Sequence, residues 1–492
     1  MASQAGPAVR PCLIGGDAVA TAGSFDVLDP STGGLLARVA RGGAAEIDQA
    51  VAAARAASRG WRERSAEARA AVLRRTGALI RRDLDDLADL ESHDTGKPLA
   101  QARADAGVAA RYFEYYASVV EAFFGHTLPD LDGYLAWTRH EPYGVTGHII
   151  PWNYPLQIGA RTMAPALAVG NCLVVKPAEE APLSVLRMGE LALEAGLPPG
   201  VLNLVPGLGA EAGAALAAHP GIDHLSFIGS VPVGAEVAAA AARNIVPASL
   251  ELGGKSPHVV LPDADLDLVV PTVVRALLQN AGQTCSAGSR LLVHAEVHEE
   301  LMGRLDAALS SVRIGPGPQD LDLGPLISAR QLARVSAMVE TESGTAAPRI
   351  GGPGRVPTPP EGFYFPPTVF DRVDPGAEIA REEVFGPVLA TSVFKDTAEA
   401  IALANGTAYG LIAAVWTRDL DTAHHLATEL RAGQVYVNSY GAGGGVELPF
   451  GGFAKSGYGR EKGFEALAEM CQTKTVVVRV PPRGEVPGQV AR

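Results

Sequence analysis

Apolar positions in the first quarter of the chain recur at helical spacing. Leu73, Ile80, Leu84 and Leu87 follow at intervals of seven, four and three residues, one face of a helix. Thr95-Gly96-Lys97-Pro98 supplies a stop, because glycine leaves the helix and proline cannot continue it. The stretch up to residue 123 reads as mainly helical after a short irregular or stranded lead.

From Gly144 the pattern shifts to short apolar runs separated by helical periods. Residues 147–150, 172–176, 201–205, 224–228 and 248–252 predict strands, with helices at 184–195 and 233–242 between them. Strands alternating with helices of this length build a parallel sheet with right-handed crossovers. Ligands bind such sheets beyond the carboxyl ends of the strands. Asn153, Lys176, Ser230 and Glu251 each fall at or just past a predicted strand end, which points to a nucleotide site. A second alternating block starts after Pro262 and runs to Asn438, with strands at 290–293 and 411–416 and a helix at 298–312. The fold class is therefore α/β, with two open α/β domains.

Residues 345–362, rich in Gly and Pro, read as an exposed loop or hairpin. Residues 125–141 and 473–480 alternate like strands, a β excursion suited to pairing with another subunit. From Pro481 the sequence reads as a loose tail. The glycines Gly207, Gly209 and Gly213 have GxGxxxG rather than GxGxxG spacing, so they read as a plain tight turn.

At 492 residues the chain exceeds one ordinary domain, and its 47% hydrophobic and 19% charged content is that of a globular protein. A formal charge of -13 argues against nucleic acid or an anionic membrane surface as partner. Cys12, Cys172, Cys285 and Cys471 lie far apart without CxxC or Cys/His spacing, so neither a metal site nor a disulfide framework is expected. The N-terminus lacks a basic start followed by an apolar core, and no apolar run is long enough to span a membrane. A cytoplasmic location is expected.

The candidate chemistry centres on Asn280-Ala-Gly-Gln-Thr-Cys285-Ser-Ala-Gly. A cysteine kept for packing sits in a hydrophobic run, whereas Cys285 stands among small and polar residues. A loop or helix start is expected there, with helix amides lowering the thiol pKa from about 8.5. Upstream lies Ser249-Leu-Glu251-Leu-Gly-Gly, an acid closing an apolar run, and downstream Arg381-Glu-Glu383-Val-Phe385-Gly-Pro. Nucleophile, base and cofactor clamp are the roles these three segments suggest.

Further motifs stand in order along the chain: Pro151-Trp152-Asn153-Tyr154-Pro155, Lys176-Pro-Ala-Glu179, Glu251-Leu252-Gly-Gly-Lys-Ser-Pro257, Gly282-Gln-Thr284-Cys285 and Glu382-Glu383-Val-Phe385-Gly-Pro387. Pro449-Phe450-Gly-Gly-Phe-Ala-Lys-Ser-Gly-Tyr-Gly-Arg-Glu461 completes the set. Together they resemble the NAD(P)-dependent aldehyde dehydrogenase superfamily over nearly the whole chain, with 34 residues (285 − 251) from acid to cysteine. Two departures are Ile228, where the family more often has Thr, and an apparent insertion within residues 441–448.

The resemblance implies a Rossmann-like cofactor domain from residues 1–123 and 143–252, a catalytic domain at 253–455, and oligomerisation strands with a tail at 124–142 and 456–492. It implies a homodimer or homotetramer acting on a small-molecule aldehyde. Cys285 is then the nucleophile that forms a thiohemiacetal and, after hydride loss to nicotinamide, a thioester. Asn153 is the oxyanion donor, and Glu251 the base that activates the hydrolytic water. Trp152, Lys176, Glu179, Gly229, Ser230, Leu252, Glu383 and Phe385 fall on the cofactor side. Glu179 accepting a ribose hydroxyl favours NAD over NADP.

Tyr154, Arg161, Thr284 and Phe450 fall where the family lines its aldehyde tunnel. Arg161 reads either as a carboxylate anchor or as a helix residue in a local ion pair. A polar, carboxylated or aromatic aldehyde is the expectation. Alternatives are an NADP-preferring or coenzyme A-acylating semialdehyde enzyme, and a non-catalytic structural member.

Overall fold

The computed structural model describes residues 8–129, 132–352, 361–441 and 445–480. Residues 353–360 of the predicted loop at 345–362, the centre of the insertion at 441–448 and the tail from Pro481 lie outside them.

Strands β1 (Val9–Arg10), β2 (Cys12–Ile14), β3 (Asp17–Val19), β4 (Ser24–Leu28) and β5 (Leu35–Ala40) precede four helices. These are α1 (Ala44–Arg62), α2 (Ala66–Arg82), α3 (Leu84–Thr95) and α4 (Leu99–Val119). The alternating region contains β6 (Tyr134–Pro142), β7 (Val145–Ile149), α5 (Pro155–Val169), β8 (Cys172–Lys176), α6 (Leu183–Glu194), β9 (Leu202–Leu204), α7 (Ala214–Ala217), β10 (His224–Ile228), α8 (Val231–Arg243) and β11 (Ala248–Glu251). Next come β12 (Pro257–Val260), α9 (Leu266–Leu278), β13 (Arg290–His294), α10 (His298–Ser310), α11 (Ala329–Ser343), β14 (Thr368–Phe370), α12 (Glu378–Arg381) and β15 (Val388–Phe394). The last elements are α13 (Thr397–Ala404), β16 (Ile412–Trp416), α14 (Leu420–Glu429), β17 (Gln434–Val437), β18 (Gly457–Tyr458), α15 (Glu465–Glu469) and β19 (Cys471–Arg479).

Two open α/β sheets form the body. The first has the order β18-β11-β10-β7-β8-β9-β2-β3, parallel from β11 to β9. The second, β14-β15-β13-β12-β16-β17, is parallel throughout. Every residue of β8, β10 and β16 is buried, as a sheet covered on both faces requires.

Three expectations need correction. The helix carrying Leu73 to Leu87 is two helices, because Asp83 (φ -97, ψ 22) ends α2 and starts α3. Arg187 from α6 donates to the Asp83 carboxylate at 2.8 Å, a tertiary contact that no local periodicity contains. The second block begins at β12, ahead of Pro262, since a short buried strand lacks a distinguishing period. The strand-like segments near 134 and 475 are strands, and they pair with each other antiparallel over nine residues. The glycine turn at 207–213 contains a π-helical turn, Gly209–Gly213, rather than a plain tight turn.

A buried ion cluster ties the helices together. Lys97, 1% exposed, reaches Glu91 Oε1 at 2.9 Å and Asp105 Oδ2 at 2.6 Å. The other Glu91 oxygen accepts the Leu156 N–H at the start of α5 (3.1 Å) and the Ser184 hydroxyl at the start of α6 (3.0 Å). Asp94 Oδ2 accepts the Leu183 N–H at 2.8 Å. Burial opposes the Lys97 charge, but the two carboxylates hold its pKa above the ordinary value. Replacing Lys97 by Met leaves two buried carboxylates without a cation, so Lys97→Met should cost about 3–5 kcal/mol. The check is a fall in the urea midpoint; an unchanged midpoint would show that the cluster is dispensable.

Candidate active site

The carboxyl ends of the first sheet carry the candidate residues, as their positions in the sequence suggest. Lys176 ends β8, Glu251 ends β11, Ser230 caps α8 just past β10, and Trp152–Tyr154 follow β7. Ser230 makes no side-chain capping bond and Pro232 has no N–H, so the first turn of α8 offers the Val231 and Val233 N–H groups to an anion.

The nucleophile loop leaves α9 through three residues in left-handed backbone, Asn280 (φ 48), Ala281 (φ 54) and Gly282 (φ 71). Only the glycine adopts that conformation without steric penalty. A methyl group on Gly282 would lie 2.2 Å from the Gly386 carbonyl, so this turn presses against the Phe385–Pro387 loop. Gln283 fixes the next step: its Oε1 accepts the Ile327 N–H at 2.9 Å, and its Nε2 donates to Asn280 O at 3.0 Å. Asn153 Nδ2 donates to the Gln283 carbonyl at 3.0 Å, which draws the predicted oxyanion donor onto the cysteine loop.

Two glycines after the base join the remaining parts. A methyl on Gly254 would lie 2.6 Å from the Cys285 carbonyl oxygen, and one on Gly253 would lie 2.4 Å from Glu383 Oε2. The Gly254 N–H donates to Glu383 Oε1 at 3.1 Å. Base strand, nucleophile loop and the acid of the second sheet therefore meet at Gly253–Gly254.

Electrostatics in this recess are set by burial. Glu251 is 3% exposed, and among the described residues neither of its oxygens has a hydrogen-bond partner. Burial first, then the neighbouring Glu461, raises its pKa well above the carboxylate range. Cys285 corrects an expectation. It lies in a turn, the loop placement of the two expected, but no helix start lowers its pKa: burial pushes the thiol up to about 12. Among the charges around it, Arg161 and Lys462 act downwards.

On the cofactor side, Lys176 Nζ contacts Glu179 Oε2 at 2.5 Å, and Glu179 Oε1 accepts the Gly209 N–H at 3.2 Å. Burial opposes the Glu179 charge, but Lys176 holds its pKa below the ordinary value. Trp152 and Phe385 meet edge to face with centroids 5.3 Å apart. Phe385 itself has φ 57, and its carbonyl is held by Gln331 Nε2 at 2.7 Å. Leu252 is buried, and its N–H donates to Ser456 O at 3.1 Å. Gly229 N–H donates to the Glu251 carbonyl at 3.0 Å.

Of the predicted tunnel residues, Tyr154 is buried with its ring 4.4 Å from Lys97 Nζ, and Thr284 Oγ1 lies 3.1 Å from Ser286 Oγ. Arg161 Nε lies 2.5 Å from Glu461 Oε2, and its guanidinium sits 5.0 Å from the Phe450 ring. Lys462, also 5.0 Å from that ring, and Glu461 are site residues that sequence reasoning did not single out, although Glu461 ends a recognised motif. Lys462 carries φ 59, and no local pattern announces a left-handed lysine.

Comparison with known proteins agrees with this geometry. The model of the aldehyde dehydrogenase family matches residues 18–476. The mitochondrial aldehyde dehydrogenase of Homo sapiens is 41% identical over 466 residues, covering 94% of this chain and 90% of that one. A crystal structure from Burkholderia cenocepacia, assigned as an aldehyde dehydrogenase, is 52% identical with TM-score 0.94, covering 96% of this chain and all of that one. An aldehyde dehydrogenase from Bacillus cereus, solved as its NAD+ complex, is 39% identical with TM-score 0.94 over 96% of this chain and 97% of its own. With cysteine loop, base strand and second-sheet acid meeting at one glycine pair, and with these likenesses running almost end to end, the chain belongs to the aldehyde dehydrogenase family.

Proposed function

We propose that the chain oxidises an aldehyde to its carboxylic acid with NAD, using Cys285, Asn153 and Glu251. The observation that carries this reading is the meeting of a buried, unbonded Glu251 carboxylate with the Cys285 loop across Gly253–Gly254. Cys285 Sγ attacks the aldehyde carbon as the thiolate, its proton having passed to solvent, and Glu251 stays free for the later step. One N–H of the Asn153 amide is bonded to Gln283, which leaves the other for the oxyanion, beside the Cys285 N–H. Bound NAD supplies the two-electron acceptor that turns the adduct into a thioester. Glu251 then takes a proton from water, the hydroxide attacks the thioester carbon, and Cys285 leaves as the thiolate.

The residues fit such a cofactor. The pair Lys176–Glu179 at the end of β8 offers a charged acceptor for ribose hydroxyls, and the open N-terminus of α8 suits a pyrophosphate. An ionised Glu179 would repel a 2′-phosphate, which supports NAD over NADP. The NAD+ complex of the Bacillus cereus relative supports the same preference.

A carboxylated or aromatic aldehyde is the proposed substrate class. Arg161 is committed to Glu461 through Nε, but its Nη2 has no hydrogen-bond partner among the described residues. Two cations flank the Phe450 ring beside the nucleophile. A homodimer or homotetramer is part of the reading, supported by the exposed apolar residues Tyr134, Leu135, Val477 and Val478 on the β6–β19 pair. Among the described residues no helix is long and apolar enough to cross a membrane.

The test is NADH formation by purified protein with NAD or NADP and a panel of aliphatic, carboxylated and aromatic aldehydes. Turnover should require Cys285, and Cys285→Ala should abolish it. Glu251→Gln should release a burst of up to one NADH per site and then stall at the thioester; equal steady-state rates would exclude Glu251 as the hydrolytic base. Asn153→Ala should lower kcat by about 10²–10³.

A pH signature follows from the raised thiol pKa. The thiolate fraction grows with pH until the folded-state pKa is reached, so iodoacetamide should alkylate the cofactor-free protein about tenfold faster per unit between about pH 7 and 9. A plateau below about pH 8 would mean that the resting thiol is already ionised.

A further inference from the structure

Opposite the Gln283 anchor, the nucleophile loop has a second support. Residues Thr284 to Ala287 form a turn closed by the Ala287 N–H donating to Thr284 O at 3.0 Å, with Cys285 and Ser286 at its corners. The Tyr440 hydroxyl donates to the Ser286 carbonyl at 2.6 Å. Tyr440, after β17, also packs with Cys285 around a small apolar cluster of Leu411, Ile412 and Phe450. Burial raises the phenol pKa, so the hydroxyl stays a donor at every working pH.

The ring of Tyr440 does not hang free. It lies 4.5 Å from the imidazole of His258 on β12. His258 Nδ1 in turn accepts the indole N–H of Trp416 on β16 at 3.2 Å. Strands β12 and β16 are direct neighbours in the second sheet, with Val260 opposite Trp416. The imidazole is buried and its pKa is lowered to about 3, so it is a neutral platform. It also abuts the loop itself: a methyl group on Gly288 would lie 2.0 Å from His258 Nε2. Trp416, His258 and Tyr440 thus form a rigid column from the sheet to the carbonyl just after the nucleophile.

We propose that Tyr440 is a positioning residue for Cys285, fixing through its hydroxyl the turn on which the sulfur is carried. The proposal rests on the reading of Cys285 as nucleophile. Nothing about the column contacts the cofactor-side residues Lys176 and Glu179, which bond each other and Gly209. The effect of losing the hydroxyl should therefore fall on the chemical step.

The test is Tyr440→Phe in the full-length protein, which removes one oxygen and keeps the ring on His258. The NADH burst rate and kcat should fall together, roughly tenfold to a hundredfold, because small misplacements of a reacting atom cost rates of that order. KM for NAD should change less than about twofold, and the thermal midpoint should stay within about 2 °C. Burst rate and kcat at the parent level, or losses that only track a lowered thermal midpoint, would overturn the proposal. Cys285→Ala run in parallel separates the two readings. An inactive Cys285→Ala beside a fully active Tyr440→Phe removes the positioning role alone, while turnover by Cys285→Ala removes the nucleophile assignment and this proposal with it.

Discussion

The geometry of the site hangs on one buried carboxylate. Glu91 uses one oxygen for Lys97 and the other for the first turns of α5 and α6. Asn153 lies two residues before α5, and the loop from Lys176 through Glu179 leads into α6. A single side chain therefore registers Asn153 against the Lys176–Glu179 pair. The cluster is weak evidence for stability, since desolvating its charges offsets most of their attraction. Its value is directional: an apolar replacement could fill the volume but could not hold two helix starts at a fixed separation.

From there the site is assembled by close backbone approaches. Gly253 and Gly254, just past the first sheet, lie against the Glu383 side chain and the Cys285 carbonyl, and Gly282 lies against the Gly386 carbonyl, each with no room for a side chain. Polar groups in this junction are buried rather than solvated, and that accounts for the raised pKa values of both Glu251 and Cys285. The same desolvation acts on both groups, raising the Glu251 carboxyl and the Cys285 thiol together. Reactivity is therefore conditional on what enters the recess.

Much of this was legible in sequence, and the limits follow physical lines. Strand–helix alternation located β8 and β10 to the residue, because a parallel sheet buries both faces and writes continuous apolar runs. The motif residues were legible because their spacing survives as linear order. What depends on distant partners was not. The break at Asp83 falls where Arg187 binds from over a hundred residues away, and the Lys97 cluster hides inside what reads as a helix stop. The Arg161–Glu461 pair joins a helix of the first half to the end of the chain, so sequence left two roles open for Arg161. The thiol pKa was misread for the same reason: small polar neighbours in sequence do not report burial in three dimensions.

The strand that carries Glu251 has its outer neighbour in β18, where Gly457 stands opposite Glu251 itself. During synthesis β11 is an open edge until 206 further residues (457 − 251) have been made. At ribosomal speeds of roughly 5–20 residues per second, that is about 10–40 s with an unpaired strand at the catalytic edge. Glu251 is thus translated before Cys285, while the strand that covers its edge is made only after it. A nascent chain passes through a long interval as a folded half with an adhesive rim, and its yield in a cell depends on what shields that rim.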